Sequence, residues 1–268
     1  MVEFQRKDFY SYEDFLEIMR LLRAPGGCPW DREQTHGSIR RNFLEETYEV
    51  LDAIDHDDAN GMCEELGDVL MQVAFHAQIE AERGRFTMAN VVDGVARKLV
   101  YRHPHVFGDV QADTSQQVLA NWDVLKRREK GQRSTADAVE AVPHTLPALW
   151  RAEKIQSKTA KAGFDWTSSL QALDKLEEEV RELRAALESG QAADAPHGVR
   201  EELGDTLFMA AKIAQMSGVD PEDALHRACD KFDRRFRAVE EAADKPLSEC
   251  GEAELLALWN DAKSHDPS

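Results

Sequence analysis

The sequence predicts an all-α protein built from two copies of one helical module. Apolar residues recur at spacings of three and four residues almost throughout the chain, as in Phe15, Ile18, Met19 and Leu22. Strand-like alternation of apolar and polar residues is nearly absent. A set of motifs also recurs in order in the two halves, and this repeat predicts the tandem arrangement.

The apolar periodicity predicts where the helices lie. They are expected at residues 11–24, 36–56, 59–83, 87–102, 114–129, 146–162, 168–188, 198–217, 220–243 and 251–264. Near the middle, KGQRSTADAVEAVPHTLP mixes Gly, Ser, Thr and Pro without a sustained apolar period, which is typical of a linker or a lightly packed connector. The predicted domains are therefore residues 1–130 and 148–268, joined by a linker at 131–147.

Composition excludes several classes of function. The 268 residues include 51 acidic and 33 basic side chains, and the formal net charge of −18 repels nucleic acid and anionic membranes. No apolar stretch is long enough to cross a bilayer, and MVEFQRKDF has no apolar signal core. The four cysteines form no C-x-x-C pair. We therefore expect a cytoplasmic protein that binds neither nucleic acid nor membranes.

Four motifs keep their order and spacing in the two halves. EETYE recurs as EEVRE at an offset of 133 residues, and EELGD recurs letter for letter at an offset of 137. A Lys-Arg pair recurs at an offset of 133 and a Trp-Lys pair at 137: Lys98 and Arg102 with Lys231 and Arg235, and Trp122 and Lys126 with Trp259 and Lys263. A chance acidic helix would not bring these basic and aromatic pairs with it, so the pattern indicates duplication.

The acidic motifs predict a cation site in each half. Residues i, i+3 and i+4 share a helix face, so the glutamates of each EExxE run are neighbours that repel one another. Taken alone, such a run is often a solvated face. Asp68 and Asp205, however, fall among apolar residues of their own helices, where an unneutralised carboxylate costs on the order of several kcal/mol. Five carboxylates on two successive helices call for a cation, and an all-oxygen donor set selects Mg²⁺ or Mn²⁺.

The other two motifs suit a phosphorylated ligand with an aromatic base. A Lys and an Arg four residues apart share a helix face and can grip phosphate oxygens, although each pair alone could be a solvated face or an ion pair. Each Trp is followed four residues later by a Lys, so the ring can pack on a base or ribose while the ammonium reaches a phosphate. The alternative for either Trp is a place in the core.

The combined motifs resemble the MazG family of nucleoside triphosphate pyrophosphohydrolases. EE-x-x-E, E-x-x-D, K-x-x-x-R and W-x-x-x-K have the spacing of that family, and GGCPWDREQTH, RHPHVFGD and KAGFDW are similar to stretches typical of its two domains. The resemblance implies modules packed as four-helix bundles, completed in a homodimer, with magnesium bound between helices. It also implies hydrolysis of nucleoside triphosphates to monophosphate and pyrophosphate, a reaction suited to house-cleaning of the nucleotide pool.

The resemblance assigns roles residue by residue. It implies that Mg²⁺ is bound by Glu179, Glu182, Glu202 and Asp205, and in the first half by Glu46, Glu49, Glu65 and Asp68. It implies nucleotide contacts for Lys175, Lys231, Arg235, Trp259 and Lys263, and in the first half for Lys98, Arg102, Trp122 and Lys126. The counterpart of Lys175 is Asn42, which predicts weaker nucleotide binding in the first half.

The proposed chemistry needs no side-chain nucleophile, because a water oriented or deprotonated by a carboxylate can attack the α-phosphorus. Spacing does not single out the base; Glu178, which lies one residue from the ligand face, is the candidate, with Glu45 as its counterpart. Two alternatives remain at this stage. One is an HD-type phosphohydrolase, suggested by His56-Asp57 and His265-Asp266, and the other is a non-catalytic helical nucleotide sensor or scaffold.

Overall fold

The protein is described by a computed structural model that covers residues 2–129, 131–190 and 192–266. The chain divides into two compact units between Lys126 and Arg127. Within the described residues the regular structure is helical and contains no strand, so the predicted all-α fold class is confirmed. None of the described helices has the length and hydropathy of a membrane-spanning segment.

The first unit is built around a pair of long antiparallel helices. In chain order, its described helices are α1 (Tyr12–Arg23), α2 (Pro29–Glu33), α3 (Arg40–Asp55), α4 (Ala59–Glu82), α5 (Met88–Arg102), α6 (Pro104–Phe107) and α7 (Ser115–Glu129). Helix α3 packs along α4, and α1 and α5 pack on other parts of α4. Helix α7 runs across the division between the units.

The second unit repeats the antiparallel pair. Its described helices are α8 (Thr135–Glu140), α9 (Ala148–Ala160), α10 (Ser169–Ser189), α11 (Val199–Met216), α12 (Pro221–Ala242) and α13 (Glu252–His265), with a 3-10 turn at Leu247–Glu249. Helix α10 packs along α11, α9 packs on α11 and α12, and α13 packs on α12.

The ten predicted helices are all present, each with bounds within four residues of the prediction. The short helices α2, α6 and α8 were not predicted, because four to six residues are too few to show a helical period. Helix α8 lies inside the segment predicted as a linker, and it packs on α9 with Ala138 and Val142 buried. The division at Lys126 also lies a few residues before the predicted boundary at 130.

A tight turn fixes the α3–α4 hairpin. The Asp58 carboxylate caps α4 by accepting hydrogen bonds from the backbone N–H groups of Asn60 and Gly61, at 3.1 and 3.0 Å. A Cβ at position 61 would lie 2.6 Å from the Asp58 Oδ2 atom, so any larger residue there would have to displace the capping carboxylate. Antiparallel packing then follows from the shortness of the turn.

In the second unit, the segment KAGFDW, residues 161–166, lies just before α10 and contacts α11. The Asp165 carboxylate pairs with the ammonium of Lys212, whose side chain is fully buried. The Lys212 Nζ atom also donates to Gln215 at 2.7 Å and lies 5.9 Å from the centroid of the Trp166 ring. A buried ammonium needs such partners, so this motif serves to hold α11 in place.

Candidate active site

The α3–α4 hairpin brings the acids of the first module together. Glu49 lies six residues before the end of α3 and Glu65 six residues after the start of α4, so antiparallel packing sets them at matching heights. One carboxylate oxygen from each of Glu46, Glu49 and Glu65 lies within 4.8 Å of the others. With Asp68, whose charge acts on Glu46 and Glu65, these residues form the first acidic cluster.

The carboxylates of the first acidic cluster disfavour one another's ionisation. Burial is the largest cause that raises the pKa of Glu46, followed by the charges of Asp68 and Glu49. Burial also leads in raising the pKa of Glu65, with Glu49 the strongest charged neighbour. A bound cation would reverse both effects, because it favours the charged form of each carboxyl group.

The α10–α11 pair assembles the corresponding second acidic cluster, Glu179, Glu182, Glu202 and Asp205. One carboxylate oxygen from each of Glu179, Glu202 and Asp205 lies within 4.8 Å of the others. The Glu179 and Glu202 residues are only 6% and 4% exposed. Loss of hydration is the largest cause that raises the pKa of Glu182; Glu179 and Glu202 add to it, and Lys175 opposes it.

The two aspartates differ in burial. Asp68 is half-buried, whereas Asp205 is exposed, as are its neighbours Leu207 and Phe208 on α11. The apolar helix face around Asp205 is therefore covered only in part, since Met209 is buried while Phe208 is exposed. Burial of its exposed part requires a further surface.

Lys175 lies on the second acidic cluster and partly neutralises it. Its Nζ atom is 2.6 Å from the Glu178 carboxylate and 2.8 Å from that of Glu179. Hydrogen bonds to these two residues raise the pKa of Lys175, and the same contact with Lys175 lowers the pKa of Glu178. In the first module Asn42 is exposed, and Glu45 pairs instead with Arg41 at 2.7 Å.

Apart from Lys175, the predicted nucleotide contacts of the second module lie on the packed helices α12 and α13. The Trp259 ring centroid is 5.2 Å from that of Phe232, which stacks on Phe236 at 6.0 Å. Lys231 and Lys263 are exposed, and neither has an ion-pair partner within the described ranges. Cations and an exposed aromatic surface thus adjoin one another on this helix pair.

In the first module, the corresponding cations lie against the tryptophan itself. The guanidinium carbon of Arg102 is 5.1 Å from the Trp122 ring centroid, and the Lys126 Nζ atom is 4.5 Å from it. Arg102 is only 7% exposed, while Lys98 is exposed on α5. The structure therefore brings together three of the four predicted first-half nucleotide residues, in cation–π contacts.

Sequence reasoning missed two polar side chains beside these sites. Gln72 is buried on α4, and its hydrogen bond to Glu46 lowers the pKa of that carboxyl group. Gln72 lies four residues after Asp68, so helical spacing could have found it. Asp266 accepts a hydrogen bond from the Arg235 Nε atom at 2.8 Å. Asp266 lies seven residues after Trp259, and Glu129 lies seven residues after Trp122. An acid thus follows the Trp-Lys pair in both halves, and this repeat could have identified Asp266 from the sequence.

The histidine-aspartate pairs do not form a metal centre. His56 lies at the end of α3, where its Nδ1 atom is 2.8 Å from the Asp52 carbonyl oxygen, and His265 Nδ1 is 3.0 Å from that of Asp261. Neither histidine belongs to a group of possible metal ligands in the described part of the chain. The geometry therefore gives no support to the HD-type alternative.

Both acidic clusters fit a hard divalent cation. Octahedral Mg²⁺ binds oxygen at about 2.1 Å, which separates neighbouring ligand oxygens by roughly 3 Å and opposite ones by roughly 4 Å. Three carboxylate oxygens within 4.8 Å of one another need little movement to reach such distances. The donors are all carboxylates, which favours Mg²⁺ or Mn²⁺ over softer metals.

Fold and site together define a tandem all-α protein in which each module carries an acidic cluster that fits a divalent cation. The model of the MazG nucleotide pyrophosphohydrolase domain matches the chain twice, at residues 34–107 and 167–239. The chain belongs to the MazG nucleotide pyrophosphohydrolase family and is an enzyme of that hydrolase class.

Curated relatives align along most of the chain. It is 46% identical over 226 residues to a nucleoside triphosphate pyrophosphohydrolase of Escherichia coli K12, which covers 84% of this chain and 85% of that protein. It is 41% identical over 258 residues to the nucleoside triphosphate pyrophosphohydrolase/pyrophosphatase MazG of Thermotoga maritima, covering 95% and 96%. It is 34% identical over 239 residues to a nucleoside triphosphate pyrophosphohydrolase of Mycolicibacterium smegmatis, covering 78% and 73%.

Replacement of Glu46 by Gln should raise the melting temperature of the metal-free protein near neutral pH. A carboxyl group with a raised folded-state pKa stabilises the fold below that pKa, and this contribution is lost as pH rises through it. The neutral amide removes the penalty, so the gain should vanish at about pH 4, where the carboxyl group is protonated. Thermal unfolding followed by circular dichroism measures the difference.

The same substitution should reduce the rise in melting temperature caused by Mg²⁺, because one ligand is lost. Asp52→Asn is the matched control, since Asp52 is an exposed acid on the same helix outside the cluster. Equal responses of Glu46→Gln and wild type to pH and to Mg²⁺ would show that Glu46 is not part of a cation site.

Proposed function

We propose that the protein hydrolyses nucleoside triphosphates to nucleoside monophosphates and pyrophosphate in a Mg²⁺-dependent reaction. The observation that carries the proposal is the pair of acidic clusters, each with three carboxylate oxygens within 4.8 Å, in a chain of this family. The E. coli and T. maritima relatives are both named as nucleoside triphosphate pyrophosphohydrolases, which supports the substrate class. Removal of unwanted triphosphates from the cytoplasmic nucleotide pool is the role that this reaction serves best.

In the second module, Glu179, Glu182, Glu202 and Asp205 would hold the cation, and the first acidic cluster would do so in the first. The bound ion supplies neutralisation of the triphosphate charge. Lys231, Arg235 and Lys263 extend cationic groups from α12 and α13 toward phosphate oxygens, while the rings of Trp259 and Phe232 offer an apolar surface to the base. These contacts involve only the phosphates and the face of the base. We therefore expect the site to discriminate weakly between different bases.

The hydrolytic step adds water across the α–β phosphoanhydride. A water oxygen attacks the α-phosphorus, the bond from that phosphorus to the bridging oxygen breaks, and pyrophosphate leaves with the electron pair. A carboxylate takes the water's proton, for which Glu178 and Glu45 are the candidates. The contact with Lys175 lowers the pKa of Glu178 and so weakens it as a base. If the Lys175 side chain moved from Glu178 to a substrate phosphate, the basicity of Glu178 would be restored.

Incubation with ATP or dTTP and Mg²⁺ should therefore yield monophosphate and pyrophosphate in equal amounts. No diphosphate should accumulate, because a single anhydride bond is cut at the α-phosphorus. Products are separated by anion-exchange chromatography, and pyrophosphate is measured by a coupled assay. Early release of ADP with orthophosphate would contradict the assigned bond, and absence of any Mg²⁺-stimulated cleavage across a triphosphate panel would favour the nucleotide sensor or scaffold.

We also propose that the active form is a homodimer. Leu66 and Leu70 on α4 are exposed, and so are their counterparts Leu203 and Leu207 on α11. The same face therefore lacks cover in both modules, on the side of each helix that lies nearly opposite Asp68 and Asp205. Leu173, Val180 and Leu187 add an exposed apolar stripe at seven-residue spacing on α10. A second copy can bury such a face and complete each helix bundle.

Replacement of Leu203 and Leu207 together by Lys should convert the dimer to a monomer, because two charges would be buried at the interface. Sedimentation velocity measures the mass, and circular dichroism checks that the helices persist. Leu119→Lys, at an exposed leucine on α7, is the control and should leave the mass unchanged. A wild-type protein that sediments as a monomer at micromolar concentration would exclude the dimer.

The two modules should be separate sites of unequal strength, the second the stronger. The first lacks the cation of Lys175, and a charged contact to phosphate is worth about 1.5–3 kcal/mol, roughly ten- to a hundredfold in affinity. Glu179→Gln with Asp205→Asn should therefore abolish most pyrophosphate release, and Glu46→Gln with Asp68→Asn should abolish little. Loss of activity chiefly in the first-module variant would reverse the ranking. Complete loss in each would indicate one composite centre.

A further inference from the structure

Asp266 forms a buried ion pair that the catalytic scheme does not use. Its side chain is 7% exposed and lies 2.8 Å from the Nε atom of Arg235 and 3.5 Å from that of Arg234. Arg235 is partly buried on α12, whereas Arg234 is mostly exposed. The contact with Arg235, the residue proposed to bind phosphate, is thus the shorter of the two and the less exposed to solvent.

The contact leaves the phosphate-binding part of Arg235 available. A guanidinium carries five N–H donors, and the hydrogen bond to Asp266 uses the one on Nε. The two terminal nitrogens of Arg235 make no hydrogen bond to the described residues. A phosphate can therefore bind these two nitrogens while Asp266 remains bonded to Nε. The carboxylate then fixes the orientation of the guanidinium plane and does not compete with the phosphate for the terminal nitrogens.

The stability of α13 does not explain an acid at this position. Asp266 is the C-terminal cap of α13, with its backbone N–H bonded to the carbonyl of Ala262. A negative charge near the C-terminal end of a helix is unfavourable because the dipole is negative there. The acid nevertheless recurs in the sequence, since Glu129 follows Trp122 and Lys126 at the same spacing as Asp266 follows Trp259 and Lys263.

We propose that Asp266 is a positioning residue, which orients the Arg235 guanidinium toward a phosphate group of the nucleoside triphosphate. The contact also links α13 to the phosphate-binding residues of α12. This inference rests on the proposed function. The contact with Arg235 also lowers the pKa of Asp266, so the carboxylate remains charged at neutral pH.

The test uses full-length protein in which Glu46→Gln and Asp68→Asn silence the first module. In this background, Asp266→Asn should raise the KM for ATP about tenfold and change kcat less than about twofold, because a mispositioned guanidinium weakens substrate binding. Asp266→Glu, which restores the acid found at residue 129, should recover most of the affinity. Asp261→Asn, at an exposed acid on the same helix, is the matched control and should have a wild-type KM.

A double-substitution cycle separates positioning from structure. If Asp266 acts through Arg235, Asp266→Asn should add almost nothing to the KM of an Arg235→Gln variant. Equal losses in both backgrounds, or a wild-type KM in Asp266→Asn, would overturn the inference. Should the unmodified protein cleave no triphosphate, the proposed function fails by itself. Calorimetric titration with metal-free ATP then decides the role of Asp266, because unchanged affinity in Asp266→Asn would exclude it.

Discussion

Repulsion between carboxylates on paired helices is the constraint on which the rest of the structure depends. Each module places glutamates of one helix opposite acids of the next, and burial and neighbouring charge together raise the pKa of Glu46, Glu65 and Glu182. Such a pair of helices is under electrostatic strain unless a cation or a lysine lies between them. The tight α3–α4 turn and the buried Lys212 contact hold the helices together despite this repulsion.

The modules relieve the strain by different means. In the second, the Lys175 ammonium bridges Glu178 and Glu179, while in the first the buried Gln72 donates to Glu46 and no lysine replaces Asn42. The aromatic sites differ likewise. Trp122 is in contact with two cations, whereas Trp259 adjoins Phe232. Because a lysine can move to a phosphate and an amide cannot supply charge, duplication of one module has produced two sites with different capacities for an anionic ligand.

Much of the fold could be predicted from the sequence, because helical periodicity is a local property. The ten long helices and the absence of strands in the described residues follow from apolar spacing, whereas the family domain, present twice, was predicted from repeated motifs that resemble a known family. Helix α8 could not be found in this way: it has six residues, and its buried Ala138 depends on contact with α9. Similarly, spacing placed Asp205 on an apolar face, but its exposure depends on whether another surface covers that face.

The sequence by itself determined the candidate site residues, since repeated motifs identify the same residue types in both halves without reference to their contacts. Only the tertiary structure decided which of them meet. It brings carboxylate oxygens of Glu46, Glu49 and Glu65 within 4.8 Å of one another, sets Arg102 on Trp122, and joins Arg235 to Asp266 across two helices. The physical reason is that helical spacing specifies only the direction in which a side chain leaves its own helix. A cation site requires particular distances between side chains on different helices. Those distances are set by helix packing.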